Sequence, residues 1–256
     1  MATLKNDWIS SDRLKPYMDC VFNDTDKALR LYELDRQLSA ALFLEISYLE
    51  VALRNSVNAN LTEEYGQDWY ANFSVGFDER VRDNITEAWE SLPSHYTAKG
   101  VARGSRLGGR LVAASMFRTW TNMLDKGGAS GLPVPFELAD HDMIWTSNAL
   151  LKVFPGAKTV ARAKDPSFEH RGLNREWVYS RVFLIRQIRN RIAHHESLAP
   201  KGVLITGTEL RLKPRQCHEA CQDLAKMLDR DLADYLRGLS TLDVIDEIER
   251  LFGEGV

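Results

Sequence analysis

A periodic apolar run from Lys27 to Tyr65, ending at Gly66, constrains this chain more than any other feature. Leu31, Leu34, Leu38, Ala41, Leu42, Leu49, Leu53, Val57 and Leu61 recur in steps that keep them on one stripe of a single long helix. A helix with one apolar stripe has to bury it against other elements. The rest of the chain offers mainly more helices. Ser10-Ser11-Asp12 starts a short one to about Cys20, and Asn23 to Asp26 caps the long one. Helical patterns then fill Asp78–Leu92, Gly109–Leu124, Asp142–Val153, Glu176–Leu198, Pro214–Gly238 and Leu242–Phe252, with a break at Phe154-Pro155-Gly156 before a further stretch to Lys164. Glycines and prolines mark 126–140 as an exposed connection. Val203–Thr208 and Glu209–Leu212 allow at most one short β-hairpin near 203–212. The expected fold is all-α, one helical domain over 1–256 with a core at about 25–200 and a C-terminal helical extension at 201–256.

Composition sets limits on what such a bundle does. Of the 256 residues 44% are hydrophobic and 27% charged, the proportions of an ordinary globular chain. No apolar run reaches the roughly 18 residues that span a bilayer, and the N-terminus does not read as a secretory signal, so a cytoplasmic protein with no membrane partner is expected. Cys20, Cys217 and Cys221 are too few and too odd in number for a disulfide framework. The net charge of -3 does not announce a nucleic-acid binder, but its distribution is uneven. Lys99, Arg103, Arg106, Arg110 and Arg118 follow one another without an acidic residue, and 158–191 is dominated by arginine and lysine. A basic face on a mildly acidic body suits phosphate tracking, whereas arginines scattered over several surfaces would not.

The chemistry-bearing segment is Arg189-Asn190-Arg191-Ile192-Ala193-His194. On a helix Arg186, Asn190 and His194 stand four apart and form a polar stripe, and the long side chain of Arg189, about 140° round from His194, can swing toward it. Histidine exchanges a proton near neutral pH, and arginine presents a charged planar fork to phosphate oxygens. Together they suit phosphoester cleavage in RNA, with a base on the ribose 2′-hydroxyl and cations around phosphorus. The spacing alone equally fits a helix end whose arginines are solvated and whose histidine answers the C-terminal dipole. In the long N-terminal helix Glu50, Arg54 and Asn58 form a second four-apart set. It reads either as an intrahelical ion pair or, if packed on the motif helix, as Glu50 orienting a cation and Arg54 joining a phosphate site.

Other patterns carry less. His194-His195-Glu196 cannot chelate as an i, i+4 pair would, so no metal is expected there. Cys217-His218-x-x-Cys221 has no second ligand pair and reads as buried structural cysteine. The glycine-rich stretch 100–109 lacks the Gly-Lys-Ser/Thr ending of a nucleotide loop and reads as a linker or a basic RNA-contacting loop. Trp69, Trp89, Trp120, Trp145 and Trp177 read as core aromatics.

Four segments together resemble a known family. They are Tyr48 to Asn55, Gly109 to Trp120, Met143-Ile-Trp145 with Phe154-Pro155, and Ile188 to Glu196, and in this order they are similar to the Abi-like proteins of bacterial abortive infection, grouped with the HEPN superfamily of helical ribonucleases. The resemblance implies a HEPN-like bundle and metal-independent RNA cleavage to a 2′,3′-cyclic phosphate and a 5′-hydroxyl, at a site composed by a homodimer. It places Arg189 as transition-state clamp, Asn190 as the orienting residue and His194 as general base or acid. His195 and Glu196 match the flank of the family's motif and are expected to have supporting roles; from their own patterns, Glu50, Arg54 and Arg186 are expected to support the site and Arg103, Arg106 and Arg110 to contact RNA. No cofactor is implied. An antitoxin protein or a regulatory RNA would be compatible as a controlling partner. Met116-Phe117-Arg118-Thr119-Trp120 departs from the family's Ser-Phe-Gly-x-Trp. From a different class, a non-catalytic RNA- or nucleotide-binding helical dimer acting as a scaffold fits the same residues.

Overall fold

The computed structural model describes residues 6–97 and 105–253, with side chains from 7 to 97 and from 107 to 253. Among them the fold is all-α with one short hairpin, as the periodicity predicts. In chain order the helices are α1 (Ser11–Cys20), α2 (Thr25–Tyr65), α3 (Glu79–Glu90), α4 (Ser94–Thr97), α5 (Ser105–Ala114), α6 (Phe117–Leu124), α7 (Ser147–Val153), α8 (Ala157–Lys164), α9 (Phe168–Arg171), α10 (Arg175–Ala193), α11 (Pro214–Leu228), α12 (Arg230–Arg237) and α13 (Thr241–Phe252). The antiparallel strands β1 (Val203–Leu204) and β2 (Arg211–Leu212) pair Val203 with Leu212 and Leu204 with Arg211.

The chain forms two compact units. One comprises Met1–Tyr48, Gln187–Asp223 and Ala233–Val256; the other comprises Leu49–Arg186 and Leu224–Leu232. In the first unit the leading half of α2 buries Ala28, Leu31, Leu34, Leu38, Leu42 and Ile46, and the core continues through Ile188, Ile192, Leu198, Val203, Leu236, Ile245 and Ile248. Each such leucine, isoleucine or valine contributes about 2 kcal/mol through area removed from water. Two polar groups sit inside that core. Asp35 is fully buried, and so is Glu45, which faces His218 Nδ1 at 2.9 Å. Cys217 and Cys221 are buried nearby in sequence, and burial pushes the Cys217 thiol up to about 12, which keeps it protonated and inert.

In the second unit Leu49, Leu53, Val57 and Leu61 continue the stripe of α2, and α3 packs on α5 and α6. Asp78 caps α3 by accepting the Val81 N–H at 3.0 Å. Trp69, Trp120 and Trp145 are buried here, with Trp145 Nε1 donating to Met123 O at 2.6 Å. Trp89 and Trp177 are half-buried.

Several helices end earlier than periodicity suggests, each for a local reason. The stretch Gly109–Leu124 breaks after Ala114, where Ser115 Oγ bonds Leu111 O at 2.8 Å and Met116 is extended. The stretch Pro214–Gly238 breaks at Asp229, whose side chain accepts Asp231 N–H at 2.6 Å and so caps α12. Thr146 caps α7 at Ser147, leaving only a 3-10 turn at His141–Met143 where helix is expected from Asp142. The helix carrying the motif ends at Ala193 rather than Leu198.

Candidate active site

The end of α10 belongs to the first unit. Ile188 and Ile192 are buried, which turns Arg189, Asn190, Ala193 and His194 toward the outer side of the helix. Arg189 and Asn190 are half-buried and His194 is exposed. His194 stands one residue past the last helical one, yet its N–H still reaches Asn190 O at 3.0 Å, so the four-residue step between the amide and the imidazole is kept.

The chain then turns sharply. His195 N–H donates to Ile192 O at 2.8 Å and Glu196 N–H to Arg191 O at 3.0 Å, the paired bonds of a Schellman ending. That ending puts its outer residue in the left-handed region, usually glycine; here it is His195, at φ 56. Two arginines hold the strained turn from outside the helix. Arg13 of α1 donates to His195 O, and Arg36 of α2 donates to His195 O at 3.3 Å and Glu196 O at 3.0 Å. Arg36 is itself fixed by the buried carboxylate of Asp35 at 2.5 Å. Asp35 also accepts the Tyr17 hydroxyl at 2.6 Å and the amides of Leu198 and Ala199 at 3.1 and 2.7 Å. Burial, followed by the nearby Asp35 charge, pushes the Tyr17 phenol well above its ordinary range, so it remains a donor.

None of Asp35, Arg36, Arg13 and Tyr17 stands out in the sequence as part of a site. One signal was present: Asp35 occupies a core-facing position between Leu31, Leu34 and Leu38, where a lone carboxylate demands buried donors.

The charges of the motif differ in what they touch. Arg191 is ion-paired with Glu196 at 2.8 Å. Arg189 has no carboxylate partner among the described residues, and its Nε is buried without an acceptor. An incoming anion would meet the terminal nitrogens of Arg189 rather than the buried Nε. The ring of His194 likewise makes no hydrogen bond among the described residues.

The other predicted residues make contacts of their own. Arg186, Glu50 and Arg54 belong to the second unit. Arg186 is half-buried and donates to Thr121 Oγ1 at 2.8 Å, and burial lowers its pKa. Glu50 is half-buried, and Arg54 Nη1 reaches Ala113 O at 3.4 Å. Arg110 is exposed and lies over the Tyr96 ring at 4.2 Å. Arg103 and the side chain of Arg106 fall outside the described residues. Arg118, at the point of departure from Ser-Phe-Gly-x-Trp, forms an ion pair with Glu87. No three His, Cys, Asp or Glu side chains among the described residues are grouped to hold a metal ion. No helix among them is long and apolar enough to cross a membrane.

Residues 9–107 match the family model described as Abi-like protein. The matched segment contains α1, α2, α3 and the four residues of the Asp35 network, and ends before the Arg189–His194 motif. No curated protein and no solved structure matches the chain.

Proposed function

With residues 9–107 matching the family model described as Abi-like protein, we propose that the chain is a metal-independent RNA endonuclease of phage defence or toxin type, in the manner of HEPN ribonucleases. What supports the reading is the presence, five residues apart at the end of α10, of an exposed imidazole at His194 and a guanidinium at Arg189 with no carboxylate partner among the described residues. His194 takes the proton of a ribose 2′-hydroxyl, the 2′-oxygen attacks phosphorus, and the bond to the 5′-oxygen breaks. The leaving oxygen is protonated by the imidazolium of a second copy, so the products are a 2′,3′-cyclic phosphate and a 5′-hydroxyl. Arg189 donates to the non-bridging oxygens as charge builds on them, and Asn190, one turn before His194, orients phosphate or imidazole. A homodimer supplies two such helix ends to one cleft. The positions of Glu50, Arg54 and Arg186 do not enter this scheme.

The test is cleavage of mixed RNA in excess EDTA by the wild-type protein, His194→Ala and Arg189→Ala. Loss of cyclic-phosphate products by at least about a hundredfold in both variants is expected. Tight binding without products from the wild type would instead mark a non-catalytic dimeric scaffold. Products that persist in His194→Ala would remove the assignment altogether.

A further inference from the structure

One residue beyond His194 the same turn opens onto a cleft that the cleavage scheme does not use. It lies wholly within the first unit, measures about 510 Å³, and is open to solvent. That volume is in the range of small-molecule sites, roughly 300–1,000 Å³. Its cationic lining comes from three parts of the chain: Arg13 from α1, Arg191 from the end of α10, and Lys201 and Arg211 from the hairpin and the turn before it. His195 also lines it. Against four permanent cations stand two carboxylates, Asp12 and Glu196. In a chain of net charge -3 this excess is not a sample of the average surface.

The four cations are not equally free. Arg191 is paired with Glu196, and Arg13 is anchored on His195 O. Arg211 is steadied by its own hairpin, donating Nη1 to Lys201 O at 3.2 Å and Gly202 O at 3.3 Å, which leaves its other nitrogen edge available. Gly202 has φ +65, and a Cβ there would crowd Leu212 O at 2.8 Å, so the close backbone approach that seats Arg211 beside Lys201 depends on glycine. Lys201 is exposed and has no carboxylate partner among the described residues. A steadied guanidinium and an unpaired ammonium, with two further guanidinium groups lining the same cleft, give it an excess of donors and positive charge for an anion.

We propose that this cleft binds a phosphate ester. The group can arrive as the phosphodiester of a single RNA strand or as a mononucleotide, and the chemistry of recognition is the same. Neither Arg189 nor His194 lines the cleft, so binding here can be measured without cleavage at His194.

Two probes separate the sources: a ten-nucleotide single-stranded RNA with 2′-O-methyl riboses, which cannot be cleaved, followed by fluorescence anisotropy, and adenosine 5′-monophosphate followed by calorimetry. Each is titrated into the full-length protein and into Lys201→Glu, Arg211→Ala and Asp12→Asn. The Lys201 ammonium has no partner among the described residues to lose, and Lys201→Glu, which reverses a charge in the cleft, is expected to weaken the bound probe at least tenfold. Arg211→Ala weakens it as well, Asp12→Asn tightens it, and the salt dependence of RNA binding becomes shallower by about one charge per cation removed. Binding of the RNA alone assigns the cleft to a strand, and equal sensitivity of the mononucleotide assigns it to a small phosphate ester. Wild-type affinity in Lys201→Glu for every probe that binds, or no binding of either probe to the wild type, overturns the proposal. Cleavage is read separately, by the EDTA assay.

Discussion

Asp35 Oδ1 accepts the backbone N–H of Ala199 at 2.7 Å, across 164 residues of chain. The first residue lies on the core face of α2 and the second just beyond the motif helix, so the path of the chain leaving His194 is set by a carboxylate rather than by helix propensity. Through Arg36 the same carboxylate reaches the carbonyls of His195 and Glu196.

Asp35→Ala strands this arrangement. It removes the acceptor of two buried amides and of the Tyr17 hydroxyl, and leaves the half-buried Arg36 without its counterion. A loss of about 3 kcal/mol is expected, because breaking one side of a buried polar network leaves the other side desolvated and unpaired. Asp35→Asn keeps a carbonyl oxygen and should lose less. Urea unfolding of the three proteins measures this; an alanine variant within 0.5 kcal/mol of wild type, on the order of a surface change, would show the amides to be independent of Asp35.

His195→Gly works in the opposite direction. The left-handed backbone at φ 56 costs a non-glycine residue about 1–2 kcal/mol, part of which glycine gives back through its freer unfolded chain. The variant should gain roughly 0.5–1 kcal/mol, and thermal unfolding reads the gain directly. The bonds from Arg13 and Arg36 go to the His195 carbonyl and survive the change. A lowered melting temperature would mean that the imidazole itself stabilises the turn.

These two cases show what was legible in advance. The stripe of α2 and the hairpin were readable because periodicity and turn residues are local properties. The partners of Asp35 and the pairing of Glu45 with His218 were not, because they close over 164 and 173 residues. The Arg189–His194 segment was found by residue type and spacing, while the freedom of Arg189 and the engagement of Arg186 with Thr121 depend on neighbours that spacing does not specify. The left-handed turn at His195 carried no glycine to announce it.

Acid should destabilise the second unit through His141. Its ring is fully buried; Nε2 accepts the Asp78 N–H at 3.2 Å, which leaves Nδ1 to donate to Asp125 O at 2.9 Å and fixes the neutral tautomer. Burial holds its pKa below 6.5 against the opposing charges of Asp78 and Asp125, with Arg80 adding to the lowering. Above pH 6.5 the imidazole is neutral in both states and its packing is fully retained. As pH falls below 6.5 the unfolded chain takes up a proton that the folded one refuses, so stability declines, by up to about 1.4 kcal/mol per pH unit, until the folded pKa is passed. Unfolding free energies at pH 7.0, 6.0 and 5.0 should show that slope in wild type and a shallower one in His141→Gln. Parallel slopes would assign the acid sensitivity to other groups.

Gly156→Ala separates two reasons for keeping a glycine. At Gly156 the backbone is ordinary, φ -86, but a Cβ would fall on Lys226 O, and the Gly156 N–H bonds Met227 O at 3.0 Å. Alanine cannot be fitted there without parting α8 from the end of α11, which costs about 2–3 kcal/mol in overpacking. At Gly207 the surroundings are open, but φ is +84, so alanine costs about 1 kcal/mol through backbone strain alone. The larger loss should therefore come from the glycine with the commonplace dihedral. Chemical denaturation of both variants decides it: equal losses would mean that the contact between Gly156 and Lys226 yields more easily than a packed backbone should.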